Sequence, residues 1–402
     1  MKIKELKIEG YRSLKDVAWR PGDLNVLIGP NGGGKSNLLR VLQLLNASAR
    51  KGLGKHVRNE GGMEPMVWDG RAGQVSISVE TLQPDAKGDV GACLTYTFRL
   101  DRIGSTGSYS VGAEELTTYG PAGTGTRRVV ARSLARIGLN AVVYDAAQHG
   151  VRIPGEEVPE EETLLSIATG PFVANAVVKD FQAQLASWGV YAGFGADAES
   201  PARKSAVARF DQRLEPNGEN LVPVLHTLYT GNRDFQRDVD DALHAAFGAD
   251  FEELVFAPEA DQRIQLRVGW SSLSRKQSAA DLSDGTLRFL YLLAILANPN
   301  PPPLIAIDEP ENGLHPSMQR IVAELAADAA TRSQVVLTTH SPEFLDAFDD
   351  VVPTTSVVEW AEGQTRITNL SGDALKAWLE RYALGEILRT NEAAIMEKEE
   401  AP

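Results

Sequence analysis

Between residues 24 and 46 the chain passes from a nearly continuous apolar run, Leu24-Asn25-Val26-Leu27-Ile28, into a glycine-rich turn. It leaves the turn in leucines and Val41 recurring at helical spacing. Such a run reads as a strand covered on both faces, and the later spacing as an amphipathic helix. The turn, Gly29-Pro30-Asn31-Gly32-Gly33-Gly34-Lys35-Ser36, satisfies G-x-x-x-x-G-K-[ST] in the strand-to-helix context that this pattern requires. Glycines let successive backbone N–H groups point at one anion, and the helix N-terminus, with Asn37 in its first turn, adds partial positive charge. Lys35 is placed to reach the outer phosphates of ATP, and the Ser36 hydroxyl to ligate Mg²⁺. This one segment already demands an α/β architecture with a phosphate-binding edge.

The 402 residues suffice for two or three compact units. A single cysteine, Cys93, excludes an intramolecular disulfide and reads as a small apolar residue. With no zinc-type spacing, a reducing, cytoplasmic compartment is expected. The first ten residues alternate Lys and Glu with Ile and Leu, unlike a leader peptide, and no apolar run reaches membrane-spanning length, so no membrane partner is expected. The net charge of −14 is uneven: residues 1–60 carry 12 Lys and Arg against 5 Asp and Glu, or +7, which leaves −21 for the remainder. An acidic chain is a poor general nucleic-acid binder, yet a local basic face still suits phosphates.

Residues 3–19 alternate apolar and polar side chains around Gly10, as an antiparallel hairpin does. Residues 81–130 mix glycines with short alternating runs, residues 172–250 turn helical without a sustained heptad, and α/β character returns in the last third. We read a first lobe over 1–80, an insertion that is β-rich and then helical over 81–254, and a second lobe over 255–402. The acidic tail beyond Asn391 reads as frayed.

Three further segments bear on chemistry. Leu304-Ile305-Ala306-Ile307-Asp308-Glu309 is a buried-type strand from which two carboxylates emerge, where ligands of open α/β sheets sit. Asp308 is expected to hold the Mg²⁺ shell and Glu309 to orient and polarise an attacking water. Leu282-Ser283-Asp284-Gly285-Thr286 precedes an apolar helix that Ser283 is suited to cap. Thr338-Thr339-His340-Ser341-Pro342 closes a third strand; taken alone, a histidine there is more often structural than catalytic. The acidic groups Asp349-Asp350 and 157–162 read as exposed loops, and no G-x-S-x-G elbow points to a serine hydrolase.

In this order, GPNGGGKS, LSDGT, LIAIDEPENGLHP and VVLTTHSP resemble the Walker A, signature, Walker B with D-loop, and switch-histidine motifs of the ABC ATPase superfamily. The opening Ile8-Glu9-Gly10-Tyr11-Arg12-Ser13-Leu14 is similar to the RecF, SMC and overcoming-lysogenisation branch, often labelled AAA-family ATPases. The resemblance implies a P-loop NTPase of the ABC/SMC head type, here with an N-terminal antiparallel hairpin and a mixed β/α insertion. It further implies an ATP-dependent homodimer, with each ATP held between Walker A of one copy and Ser283 and Gly285 of the other. Asn312, Gly313 and Leu314 would lie across that interface, and His340 would contact the γ-phosphate. No Q-loop glutamine is placed, since Gln74 and Gln148 stand in poor context. There is no CxxC hook or coiled-coil arm, and 402 − 340 = 62 residues after His340 are too few for a Toprim nuclease domain.

The expected function is therefore ATP hydrolysis by a dimerising head that acts on DNA, or with an effector or nuclease from another chain, in repair or in defence against mobile DNA. The alternative is a slow nucleotide switch holding a partner protein; a transport ATPase is disfavoured by the opening strand and the insertion. Arg50, Lys51, Lys55 and Arg58, with His56, form the candidate DNA-backbone contact, although such charge runs are more often solvated loops.

Overall fold

Leu24–Ile28 lies inside a six-stranded sheet of the computed structural model, which describes residues 1–84, 90–104, 107–120, 128–167, 175–348 and 351–382. The order across this sheet is Gly189–Tyr191, Leu304–Asp308, Gln334–Thr339, Leu24–Ile28, Thr354–Ala361 and Gln364–Leu370. The first five strands run parallel and the sixth returns antiparallel. Every side chain of Leu24–Ile28 and Gln334–Thr339 is buried, as happens when both faces of a parallel sheet are covered. Thr339 pairs with Ile28 and Thr338 with Asp308, so the turns that follow these three strands open side by side.

Period-two alternation along the strands feeds two cores. Leu27, Leu304, Ala306 and Val336 join the core containing Leu38, Leu42 and Leu45 of the helix Lys35–Ser48. Val26, Ile305, Ile307, Val335 and Leu337 join the other core, with the helices Leu221–Gly231, Asp284–Leu296 and Pro316–Ala330. The helix Lys35–Ser48 is thus wedged between the parallel sheet and a second layer.

That second layer is one continuous antiparallel sheet of eight strands. Its order is Leu14–Trp19, Lys2–Tyr11, Gln74–Pro84, Val90–Arg102, Tyr109–Tyr119, Val129–Ile137, Asn140–Tyr144 and Gly150–Ile153. Its inward side chains, among them Leu6, Ile8, Ile77, Tyr96 and Phe98, share the core of the helix Lys35–Ser48. Tyr96 also packs on Phe181 of the helix Ala176–Ala186, with ring centroids 5.5 Å apart. A smaller sheet of Ala206–Val207, Arg263–Trp270 and Phe251–Glu259, with Gln277–Ser278 at its side, backs the helices Leu221–Gly231 and Arg233–Phe247.

The longest described helices, Arg233–Phe247 and Pro316–Ala330, have 15 residues, so no coiled-coil arm is present among the described residues. No described helix is long and apolar enough to cross a membrane. Asp349-Asp350 and the tail beyond Asn391 lie outside the described residues.

Candidate functional site

The glycine-rich loop is shaped from behind. A methyl group on Gly29 would stand 2.0 Å from Val358 O, and one on Gly34 would stand 2.1 Å from Thr365 Oγ1, so the last two strands of the sheet press directly on the loop. Gly34 at φ +109° and Gly32 at φ +80° supply the left-handed turns. Thr365 Oγ1 is within hydrogen-bond distance of Gly33 O (2.9 Å) and Ser13 Oγ (2.7 Å), and Ser13 Oγ accepts from Asn37 Nδ2 (2.7 Å). Lys35 is buried and folds its ammonium onto Gly29 O (2.6 Å) and Pro30 O (3.1 Å), while Asn31 and Gly32 stay exposed at the tip. Gly34 gives the helix Lys35–Ser48 no side-chain cap, which leaves its first-turn amides to an anion.

The carboxylates arrive from the neighbouring strand. Ser36 Oγ donates to Asp308 Oδ2 (3.1 Å), and Thr338 Oγ1 donates to Asp308 Oδ1. Glu309 sits at φ +45°, with its N–H directed at Thr338 O (3.1 Å) and Thr338 Oγ1 (3.1 Å). A non-glycine residue in this region costs roughly 1–3 kcal/mol and persists where its surroundings over-determine it. The Glu309 carboxylate meets Asn312 Nδ2 at 2.5 Å and His340 Nδ1 at 3.3 Å. Glu311, buried behind it, accepts from Thr339 Oγ1, and burial holds its pKa above the usual carboxylate value.

The 283–286 turn is built as a cap. Ser283 Oγ accepts from Thr286 N (3.1 Å) at the start of the helix Asp284–Leu296. Gly285 has room for no side chain, since a methyl there would lie 2.6 Å from Gly313 O. Among the described residues no hydrogen bond joins 283–286 to 29–36. One chain therefore brings Gly29 to Asn37, Asp308, Glu309 and His340 together, and packs Gly285 of the signature turn against Gly313.

Sequence reasoning passed over five residues here. Thr338 and Thr365 were hidden in ordinary strand composition, and Ser13 in a motif read only as family likeness. Arg203 is buried and ties down the signature turn through Leu282 O (2.6 Å), Ala280 O (3.2 Å) and an ion pair with Asp284. Arg288 donates to Glu309 O at 2.6 Å; its signal was legible, as the one charge in the apolar run 287–296. Gln74 lies in the antiparallel sheet opposite Asp101, and Gln148 lies in the turn between the strands Asn140–Tyr144 and Gly150–Ile153, where its Oε1 accepts from Arg132 N. Ala192, Gly193 and Phe194, which follow the strand Gly189–Tyr191, instead share with Asp308, Glu309, Arg288, Tyr291 and Asn312 the lining of a cavity of about 160 Å³.

The basic stretch is partly consumed by the fold. Arg50 Nε donates to Ala186 O (2.5 Å), Arg58 stands 3.8 Å from Glu161 and His56 is half-buried, while Arg50, Lys51, Lys55 and Arg58 all remain exposed.

A glycine-rich cradle, an uncapped helix start and a serine–aspartate oxygen pair fit a polyphosphate with a hard divalent cation. Two family models match separate stretches of the chain. Residues 1–86 match "AAA ATPase domain" and residues 191–346 match "AAA domain, putative AbiEii toxin, Type IV TA system". Both matched stretches are thus similar to AAA-type ATPase domains. Among solved structures, this ATPase fold is similar to an Smc head bound to the C-winged helix domain of ScpA, at 13% identity over 94% of this chain and 100% of that one, with a TM-score of 0.57. It is also similar to the Pyrococcus furiosus Smc head with an extended coiled coil bound to the C-terminal domain of ScpA, at 12% identity, 96% and 99% coverage and a TM-score of 0.53. No curated protein matches by sequence.

Proposed function

We propose that the chain hydrolyses ATP at a site completed by a second copy of itself. The observation that carries this reading is the convergence of Ser36, Asp308, Glu309 and His340 beside the phosphate loop, to which the signature turn of the same chain makes no hydrogen bond among the described residues. Lys35 leaves its loop carbonyls for the outer phosphates, Ser36 and Asp308 hold Mg²⁺, and the bound cation would neutralise charge on the β- and γ-phosphates. Glu309 orients and polarises the attacking water, His340 contacts the γ-phosphate, and Ser283 and Gly285 of the second copy close over it.

The purpose we infer is work on DNA or with an effector chain, in repair or in defence against mobile DNA. A second reading, the slow nucleotide switch that holds a partner, is favoured by Asn312 and His340, which occupy both oxygens of Glu309.

The test uses Glu309→Gln. This chain is expected to bind ATP, to release almost no phosphate, and to elute as a dimer with ATP and Mg²⁺; a monomer at saturating nucleotide overturns the composite site. Turnover of the unaltered chain with duplex DNA at several salt concentrations separates the two purposes, because phosphate contacts weaken with salt. No response at low salt favours the switch.

A further inference from the structure

The helix Asp284–Leu296 begins at the signature turn and runs through the apolar core with a single charge after its first turn, Arg288. Its guanidinium Nη2 donates to Glu309 O at 2.6 Å and lies 3.5 Å from Asp308 O, while its buried Nε has no hydrogen-bond partner among the described residues. Tyr291, stacked on Phe194 at 4.2 Å and met edge-on by Tyr191 at 6.0 Å, forms the aromatic wall of the small cavity that Arg288 shares with Asp308 and Glu309. Burial lowers the Arg288 pKa and nearby Glu311, Glu309 and Asp308 raise it, so this is a desolvated cation facing carboxylates. A guanidinium keeps its charge under such conditions.

One helical turn earlier, Gly285 rests on Gly313 O. The helix therefore touches the 308–313 segment at two places, Gly285 on Gly313 and Arg288 on Glu309. The Glu309 carbonyl is part of the backbone held at φ +45°, and that backbone aims the carboxylate at Asn312 and His340. A rigid, buried helix that shifts at its N-terminus carries Arg288 with it, and the Glu309 carbonyl follows.

We propose that Arg288 is the positioning residue through which the signature turn of a chain sets Glu309 of that same chain. The inference rests on the composite-site reading. A turn engaged on the nucleotide of the second copy then aligns the water-polarising carboxylate over the chain's own nucleotide, so the two sites of a dimer are linked through the interior of each subunit. The competing account is that Arg288 merely fastens a helix to a strand.

The experiment is a double-substitution cycle on steady-state ATP hydrolysis by the full chain, with Ser283→Ala, Arg288→Met and both together. Arg288→Met is expected to lower kcat ~30-fold or more with KM changed less than about twofold, the split expected when positioning and not binding is lost. Combined with Glu309→Gln, it still yields the ATP-dependent dimer. Arg288→Lys, which keeps a charge but has no fork, recovers part of the rate. The double variant is no slower than the slower single one, because both act along one line. Unchanged kcat overturns the proposal. So do a rise in KM with loss of the dimer and of the thermal midpoint, and a double variant whose loss is the product of the two single losses. A Ser283→Ala chain with full turnover removes the composite-site reading itself, and the coupling with it.

Discussion

Ser36 Oγ and Asp308 Oδ2 stand 3.1 Å apart although 272 residues of chain separate them. Two adjacent parallel pairings, of Leu24–Ile28 with Gln334–Thr339 and of that strand with Leu304–Asp308, close the distance. An oxygen pair so placed suits a divalent cation better than a hydrogen bond for its own sake. Asp308→Asn keeps the volume and removes the charge, so Mg²⁺-dependent phosphate release should fall ~10²–10³-fold, a loss typical of removing electrostatic stabilisation from a transition state. Titrating Mg²⁺ in the phosphate-release assay checks it; normal turnover would remove Asp308 from the cation site.

Thr365 holds the phosphate loop from a strand that follows every recognised motif. Thr365→Val preserves shape but leaves Gly33 O and Ser13 Oγ without that hydroxyl. Nucleotide affinity measured by calorimetry should drop ~5–10-fold, the equivalent of about 1–1.5 kcal/mol for one hydrogen bond. An unaltered dissociation constant would mean that the loop keeps its shape without this contact.

Two glycines of the loop should respond differently to the same methyl group. At Gly29 it would collide with a backbone carbonyl, Val358 O, that has no flexible end to yield, whereas at Gly32 it meets open space at φ +80°. Gly29→Ala should cost roughly 2–4 kcal/mol through overpacking, and Gly32→Ala roughly 1 kcal/mol through backbone strain. Urea melts of both variants give the ordering directly, and equal midpoints would contradict it.

Glu311 links stability to pH. Burial, its largest cause, raises the folded-state pKa above the ordinary 4.5, so the folded state binds this proton more tightly than the unfolded state does. The favourable contribution is complete below the unfolded value and is lost as pH rises through the folded one. Glu311→Gln retains the oxygen that accepts from Thr339 and cannot ionise, so its thermal midpoint should fall less than that of the unaltered chain as pH rises above 4.5. Parallel slopes for the two proteins would show that Glu311 is not the titrating group.

The sequence carried much of the site because its chemistry is local. A strand that ends in glycines before Lys35, a run that ends in Asp308-Glu309, and a turn that Ser283 caps are each set by neighbours within a few residues, through apolar periodicity, glycine conformation and helix-end hydrogen bonding. Residues 81–130 were legible as β-rich for the same reason, since alternation is a local signal. Their membership in one antiparallel sheet with Lys2–Tyr11 was not, because strand pairing is set by hydrogen bonds between distant segments.

By itself, then, the sequence determined the phosphate loop, the two carboxylates at a strand end and the capped signature turn, all consequences of short-range backbone preference. Only the tertiary structure decided that Thr365 would brace the loop, that Arg288 would meet the Glu309 carbonyl, and that Gln74 and Gln148 would lie away from the site. Those outcomes depend on which strands lie side by side and which helix crosses behind them, and such long-range packing leaves no periodic trace in any one segment.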